Sequence, residues 1–240
     1  MRFRLLTYNI HKGIGGVDRR YRLGRIVEAI THCDPDIVFL QEVDDGAPRS
    51  RHHCQVDLLS DALGLPHREY QRNVALREGH YGNAILSRFP LYDVRHLNLT
   101  VPLKKRRRAL AAHCRLRVRG HSHTLLLFNF HLGLAGFERM IQVRRFLNSE
   151  VLTHAHKNTP AIAAGDFNDI RGKLGKRLLE PVGFKPVAKR IRTFPAIMPM
   201  RTLDWIYYRG DVKLHHSFAS RTETAKRASD HLPMVADFLI

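Results

Sequence analysis

An α/β fold is predicted by three observations along the 240 residues. Ile37-Val38-Phe39-Leu40 and the run Ala161 to Gly165 are short and continuously apolar, as strands buried on both faces are, and each hands over to polar residues at its carboxyl end. Tyr21, Leu23, Ile26, Val27 and Ile30 recur at helical spacing, as does the set Phe137, Met140, Ile141, Val143, Phe146, Leu147 and Val151. The stretch from Glu69 to Leu97 crowds several short strands between turn residues, which reads as antiparallel sheet. With 44% hydrophobic side chains the chain can bury a sizeable core, and one domain over residues 1–240 is expected.

In chain order, Arg2 to Ile10 alternates and then turns apolar, as a strand entering a core does, and it ends at Asn9. His11 to Gly16 is a glycine-bearing loop, but no Gly-Lys-Ser/Thr follows, so a nucleotide P-loop is rejected. The helix after Tyr21 stops at Asp34-Pro35, and the second buried strand delivers Gln41-Glu42. Val56 to Leu63 reads as a helix broken by Gly64-Leu65-Pro66. Strands are expected at Glu69–Val74, Asn83–Ser87 and Tyr92–Leu97, then at Ala109–Cys114 after five cations, Lys104 to Arg108. A turn through Gly120-His121-Ser122-His123 leads to Thr124–Phe130, the most apolar strand, which ends at His131. The third helix carries one apolar face from Phe137 to Val151. A basic helix is expected near Lys173–Leu179, then proline-rich irregular chain with the apolar loop Thr193 to Met200, read as packing or as one lip of a substrate groove. Strands begin at Leu203 and at Met234.

Forty Lys and Arg against 22 Asp and Glu give a formal charge of +18, a surface that attracts nucleic acid, anionic lipid headgroups or small phosphorylated molecules. Three cysteines without paired spacing imply neither a disulfide framework nor a zinc knuckle and fit a reducing compartment. No apolar run has the length of a signal peptide or membrane span, so a soluble, cytoplasmic and monomeric protein is expected.

Chemistry concentrates at strand ends. Asp166 and Asn168 stand two apart, so on extended chain they face one spot, where the carboxylate can take a proton from water and the amide hold an oxygen; Asp-Phe-Asn after a strand is, however, more often a turn sequence. Glu42 and His131 leave other buried strands, and Asp230-His231 pairs an anion with an imidazole near the carboxyl end.

Taken together these segments resemble the endonuclease/exonuclease/phosphatase superfamily of metal-dependent phosphoesterases. The matching stretches stand in the family's order: Thr7-Tyr8-Asn9, Leu40-Gln41-Glu42-Val43, Gly82 to Ser87, Asn129-Phe130-His131-Leu132, Gly165-Asp166-Phe167-Asn168, Leu203-Asp204-Trp205-Ile206 and Ser229 to Pro233. The resemblance implies a four-layer α/β sandwich, two mixed β-sheets packed face to face with helices on both outer sides. It also implies a magnesium ion, with manganese as substitute, held chiefly by Glu42 with Asn9 and Asp230 close by, hard oxygen donors suited to an ion that keeps several waters. Asp166 would orient and deprotonate the attacking water and Asn168 steady a phosphate oxygen; His231, held by Asp204, would donate to the phosphoryl oxygens, and His131 would face the same phosphate. Asn83 and Arg108 would contact substrate, Arg107 replacing Arg108 if the loop is shifted.

The expected reaction is Mg²⁺-dependent phosphodiester hydrolysis, with DNA as the leading substrate on the strength of the charge. A phospholipid headgroup or small phosphoester is the alternative, supported by the apolar lip Ile197–Met200. A non-catalytic polyanion-binding protein is the third reading, opposed by the full set of site residues.

Overall fold

The computed structural model describes residues 1–118 and 120–240. Its elements run β1 (Arg2–Asn9), α1 (Leu23–Thr31), β2 (Ile37–Asp45), α2 (Gln55–Leu63), β3 (His67–Ala75), β4 (His80–Ser87), β5 (Leu91–Asn98), β6 (Arg108–Val118) and β7 (His121–His131). They continue with α3 (Gly136–Leu147), α4 (Glu150–Thr153), β8 (Ala161–Asp166), the two-residue β9 (Lys185–Pro186), β10 (Asp204–Arg209), β11 (Lys213–Ala219), α5 (Glu223–Ala228) and β12 (Met234–Leu239). One six-stranded sheet has the order β11-β12-β1-β2-β4-β3 and the other β5-β6-β7-β8-β10-β9. Both are mixed: β1–β2 and β7–β8 pair in parallel, all other neighbours antiparallel.

Side-chain alternation along the strands builds the layers. Leu5, Ile37, Phe39, Ile85, Leu125 and Leu127 belong to the core between the sheets. Their immediate neighbours Leu6, Val38, Leu40 and Leu86 face the opposite way, onto α1, α2 and α5. Leu126, Phe128 and Phe130 likewise turn outward, onto Val143 and Phe146 of α3 and Leu152 of α4. The result is the four-layer α/β sandwich expected. Consecutive apolar residues therefore fill the middle of β2 (Ile37 to Leu40), β7 (Leu125 to Phe128) and β8 (Ala161 to Ala164), because each of these strands is covered on both sides.

Four segments differ from the sequence reading. The single helix read from Phe137 to Val151 is two, since Ser149 adopts extended backbone (φ −72°, ψ 142°) and the chain restarts as α4. The basic helix near Lys173 is π-helical over Gly175–Leu179. The hairpin between β6 and β7 is tighter than read, with His121 to His123 already in the strand ladder. β11 and α5 have no counterpart in the sequence reading: β11 is an edge strand with few apolar residues, and α5, six residues capped by the Thr222 hydroxyl, is too short to display a period.

Candidate active site

The parity that fills the core also builds the site. Continuing the inward rows beyond the apolar residues, Leu5 leads through Thr7 to Asn9, Leu127 through Asn129 to His131, Ile162 and Ala164 to Asp166, and Ile206 back to Asp204. β7 and β8 run parallel and β10 antiparallel to them, so the ends of β7 and β8 and the start of β10 share one edge of the sandwich. Buried amides tie the sheets together beneath it: Gln41 Nε2 donates to Asn129 Oδ1 (2.7 Å) and Thr7 Oγ1 (3.1 Å), and Asn129 Nδ2 donates to the carbonyls of Leu40 and Ala84.

Glu42 breaks the parity, since in a regular β2 it would point with Leu40 toward the outer helices. The β2–β4 register shifts between Gln41 and Val43, and Glu42 adopts left-handed backbone (φ 57°). This bulge re-aims its carboxylate toward the site. Gly165 is constrained by approach: its φ is +140°, and a Cβ there would lie 2.0 Å from the Phe130 carbonyl oxygen. Only glycine permits the close β7–β8 contact that carries Asp166 and His131 side by side.

Both histidines face Asp166. His131 Nε2 lies 3.7 Å from Asp166 Oδ2 and 3.9 Å from Glu42 Oε1, and His231 Nε2 lies 4.0 Å from the same Asp166 oxygen. Asp166 accepts from Asn9 Nδ2 (3.2 Å) and from the Asn168 backbone N–H (3.0 Å). Asn168 is itself in the left-handed region (φ 52°), and its amide donates to the Leu132 carbonyl. His231 Nδ1 donates to Asp204 Oδ2 at 2.8 Å, where Thr193 Oγ1 also donates at 2.5 Å, and the Phe194 ring packs 5.1 Å from the imidazole. Ser229 fastens the carboxyl-terminal segment by donating to the Asn9 carbonyl, which joins the two ends of the chain at the site.

Burial separates the protonation states. Burial, reinforced by the Asp204 charge, raises the Asp166 carboxyl to about 7 despite the opposing pull of His231. Burial works against charge on His231, but Asp204, through charge and hydrogen bond, with Asp166 and Asp230, raises it to about 10. Burial and the Arg107 charge push His131 well below its ordinary value, so it is neutral at pH 7. Glu42 is held at about 2 although burial opposes its charge, by His131 when protonated, Lys12 and His11. With His131 neutral, the Lys12 ammonium, in direct contact with the Glu42 carboxylate, is the lasting partner.

Among the described residues no three His, Cys, Asp or Glu side chains converge into a closed metal cage. The donors fit an oxygen-preferring ion bound mainly through water: Glu42 is a half-buried carboxylate already drawing a cation, and Asn9 adds an amide oxygen, which here accepts the His11 N–H. Asp230, also half-buried, turns its carboxylate toward the Ser229 hydroxyl on the His231 side.

The weaker assignments divide. Asn83 is fully buried, its amide donating to the Arg108 carbonyl, and Arg108 reaches outward to the Arg72 carbonyl. Arg107 is the buried one of the two, its Nε has no hydrogen-bond partner among the described residues, and its charge is felt at His131. No sequence signal marks Lys12 and Thr193: a lysine in a glycine loop and a hydroxyl in irregular chain look ordinary, and only the fold brings them to Glu42 and Asp204. Ser229 opens the segment Ser229 to Pro233 on which the resemblance partly rests, but its bond to the Asn9 carbonyl is likewise set by the fold.

Comparison with known proteins gives the family and the fold. The Endonuclease/Exonuclease/phosphatase family model matches residues 6–231. The chain therefore belongs to the endonuclease/exonuclease/phosphatase family, whose members are hydrolytic phosphoesterases. Among particular relatives, the Escherichia coli (strain K12) protein called Uncharacterized protein YbhP is 30% identical over 250 residues, 98% of this chain and 95% of the relative. The fold is shared with an endonuclease/exonuclease/phosphatase from Beutenbergia cavernae (TM-score 0.79, 21% identity, 100% of this chain and 72% of that one). It is shared too with ANGEL2, described as a 2',3'-cyclic phosphatase (TM-score 0.75, 18% identity, 99% and 95%).

Proposed function

We propose that the chain is a divalent-metal-dependent phosphodiester hydrolase working by direct attack of water on phosphorus. The observation that carries this reading is the convergence on one Asp166 oxygen of a neutral imidazole, His131, and a charged one, His231, with the Glu42 carboxylate 3.9 Å from the same His131 nitrogen that faces Asp166. Asp166, with its carboxyl raised to about 7, is poised to accept a proton at neutral pH. The water oxygen bonds to phosphorus as its proton passes to Asp166 and the ester bond to the leaving oxygen breaks. His231, kept charged and oriented by Asp204, donates from Nε2 to the non-bridging oxygens as their charge grows. Neutral His131, Asn168 and the buried Arg107 hold the phosphate from the other side. A magnesium ion held by Glu42 and Asn9, with Asp230 nearby, would supply electrophilic stabilisation of the developing oxyanion and leaving group. Because Asn9 and His231 come from opposite ends of the chain, residues 1–240 act as one catalytic unit.

DNA remains the substrate expected from the +18 charge. A second reading, a phospholipid headgroup, is favoured by a specific feature: Ile197, Met198 and Met200 are all exposed on the loop whose Phe194 packs on His231. The test is a panel of duplex and single-stranded DNA, RNA, phospholipid vesicles and a soluble aryl phosphodiester, each with and without Mg²⁺. Hydrolysis of at least one ester should require the ion, and Asp166→Asn or His231→Ala should lower turnover by about a thousandfold with the fold intact. Full activity in either variant would remove the assigned role.

A further inference from the structure

Four loops open on the edge of the sandwich that holds the site, and strand direction shows why. Residues 133–139 follow the end of β7 and residues 170–177 follow the end of β8. Residues 99–107 precede β6, which is antiparallel to β7, and residues 195–201 precede β10, which is antiparallel to β8. Contacts tie these loops to the site and to one another: Leu134 and Ile170 line a cleft of about 480 Å³ together with Asn168, Lys104 of the 99–107 loop lies 5.4 Å over the Phe137 ring of the 133–139 loop, and the Ala196 N–H donates to the Asp230 carbonyl.

These loops hold most of the large hydrophobic side chains that the fold leaves exposed among the described residues. Of the twelve exposed large hydrophobic side chains among the described residues, seven are here. Leu103 is fully exposed, Leu134 is 78% exposed, and Ile197 and Met198 are each 61% exposed; Met200, Phe137 and Ile170 complete the set. Seven such side chains gathered on the loops of one edge mark a binding surface, where scattered single residues do not. The charge on the same loops is one-sided. Lys104, Lys105, Arg106, Arg171, Lys173 and Arg201 are exposed, and Glu138, the one acidic residue in these segments, is buried.

We propose that this rim docks the protein on an anionic lipid bilayer, with the aliphatic side chains entering the headgroup boundary, the surrounding cations on the lipid charges and the catalytic mouth facing the membrane. Cations alone would suit nucleic acid equally well. Six of the seven apolar side chains are aliphatic, however; they can neither stack on bases nor hydrogen-bond to them, whereas burial in lipid is what aliphatic groups gain from. The inference rests on the phosphodiesterase reading for what docking delivers, a phospholipid headgroup ester at the site.

The experiment is sedimentation of the full chain with two kinds of vesicle, phosphatidylcholine alone and phosphatidylcholine mixed equally with phosphatidylglycerol. Wild type should sediment with the mixed vesicles and much less with phosphatidylcholine. Replacing Ile197, Met198 and Met200 together by serine should weaken partitioning by about tenfold or more. Turnover of a soluble aryl phosphodiester should stay within about twofold, because these residues do not touch the reacting atoms. Leu134→Ser with Phe137→Ser, on a different loop, repeats the test should the first variant fold poorly. No binding to anionic vesicles overturns the proposal, as does undiminished binding by the serine variants, or serine variants that lose affinity for duplex DNA and not for vesicles. The catalytic reading fails separately: Asp166→Asn should sediment like wild type, and a wild type that sediments but cleaves no ester would sink the hydrolase and leave the docking surface standing.

Discussion

Glu42 and Lys12 form the most consequential pair at the scale of single residues. The carboxylate expected to hold a divalent ion already has the Lys12 ammonium against it, from a loop residue in left-handed backbone (φ 63°). A cation arriving at Glu42 has to displace that ammonium or share the carboxylate with it. Removing the charge as Lys12→Met should therefore tighten Mg²⁺ binding severalfold in calorimetric titration, and Glu42→Gln should weaken it by about tenfold or more. Equal affinities in the two variants would show that the ion binds elsewhere. Around Asp166 the residue types were legible before the fold was known, because an acid, two histidines and an amide at strand ends are unusual in combination. Their division into charged His231 and neutral His131 was not. Asp204 lies beside one imidazole and Arg107 beside the other, and both placements are tertiary.

At the scale of elements, the site depends on small departures from regular strand. Gly165 is one. Gly165→Ala would put a methyl into the Phe130 carbonyl at a φ that L residues rarely adopt, so a loss of about 3 kcal/mol or more is expected in denaturant melts, with activity falling alongside. The β1–β12 pair, in unbroken antiparallel register, carries a stabilising ion-pair cluster instead. Asp237 lies directly across from Arg4 and accepts from Arg4 Nε (2.7 Å) and Arg2 Nη2 (2.6 Å). Hydrogen bonding to Arg4, against the cost of burial and with help from Arg2, lowers its carboxyl to about 2. A folded value below the unfolded one, about 3.9, means that the bridge adds stability above that pH and loses it as pH falls toward about 2. Asp237→Asn should thus cost about 2 kcal/mol at neutral pH, and the difference from wild type should shrink steadily in melts run below about pH 4. A difference constant with pH would count against the ion pair.

On the scale of the whole molecule, net charge and layer architecture act together. An excess of 18 positive charges raises the local concentration of anionic substrates, and salt screens the effect. KM for a polyanionic substrate should rise steeply between low and physiological salt, while KM for a small aryl phosphodiester should move little. The sandwich joins strand ends from both sheets at a single edge, and the same edge carries the exposed aliphatic loops. No helix among the described residues is long and apolar enough to cross a membrane.

Period-two and period-3.6 patterning determined most strands and the principal helices, since core residues must alternate or recur to be buried. The ordered run of short motifs from Asn9 to His231 pointed to the family and to the type of chemistry. Tertiary structure alone decided which way Glu42 points, that Arg107 and not Arg108 is the buried one of the two arginines, that Lys12 meets Glu42, and that seven exposed apolar side chains stand on loops at one edge of the sandwich. Each of these arises from contacts between segments tens to hundreds of residues apart, or from a one-residue bulge that shifts a side chain to the other face. Local sequence carries no signal for either, because the free energy that selects them resides in long-range packing and pairing.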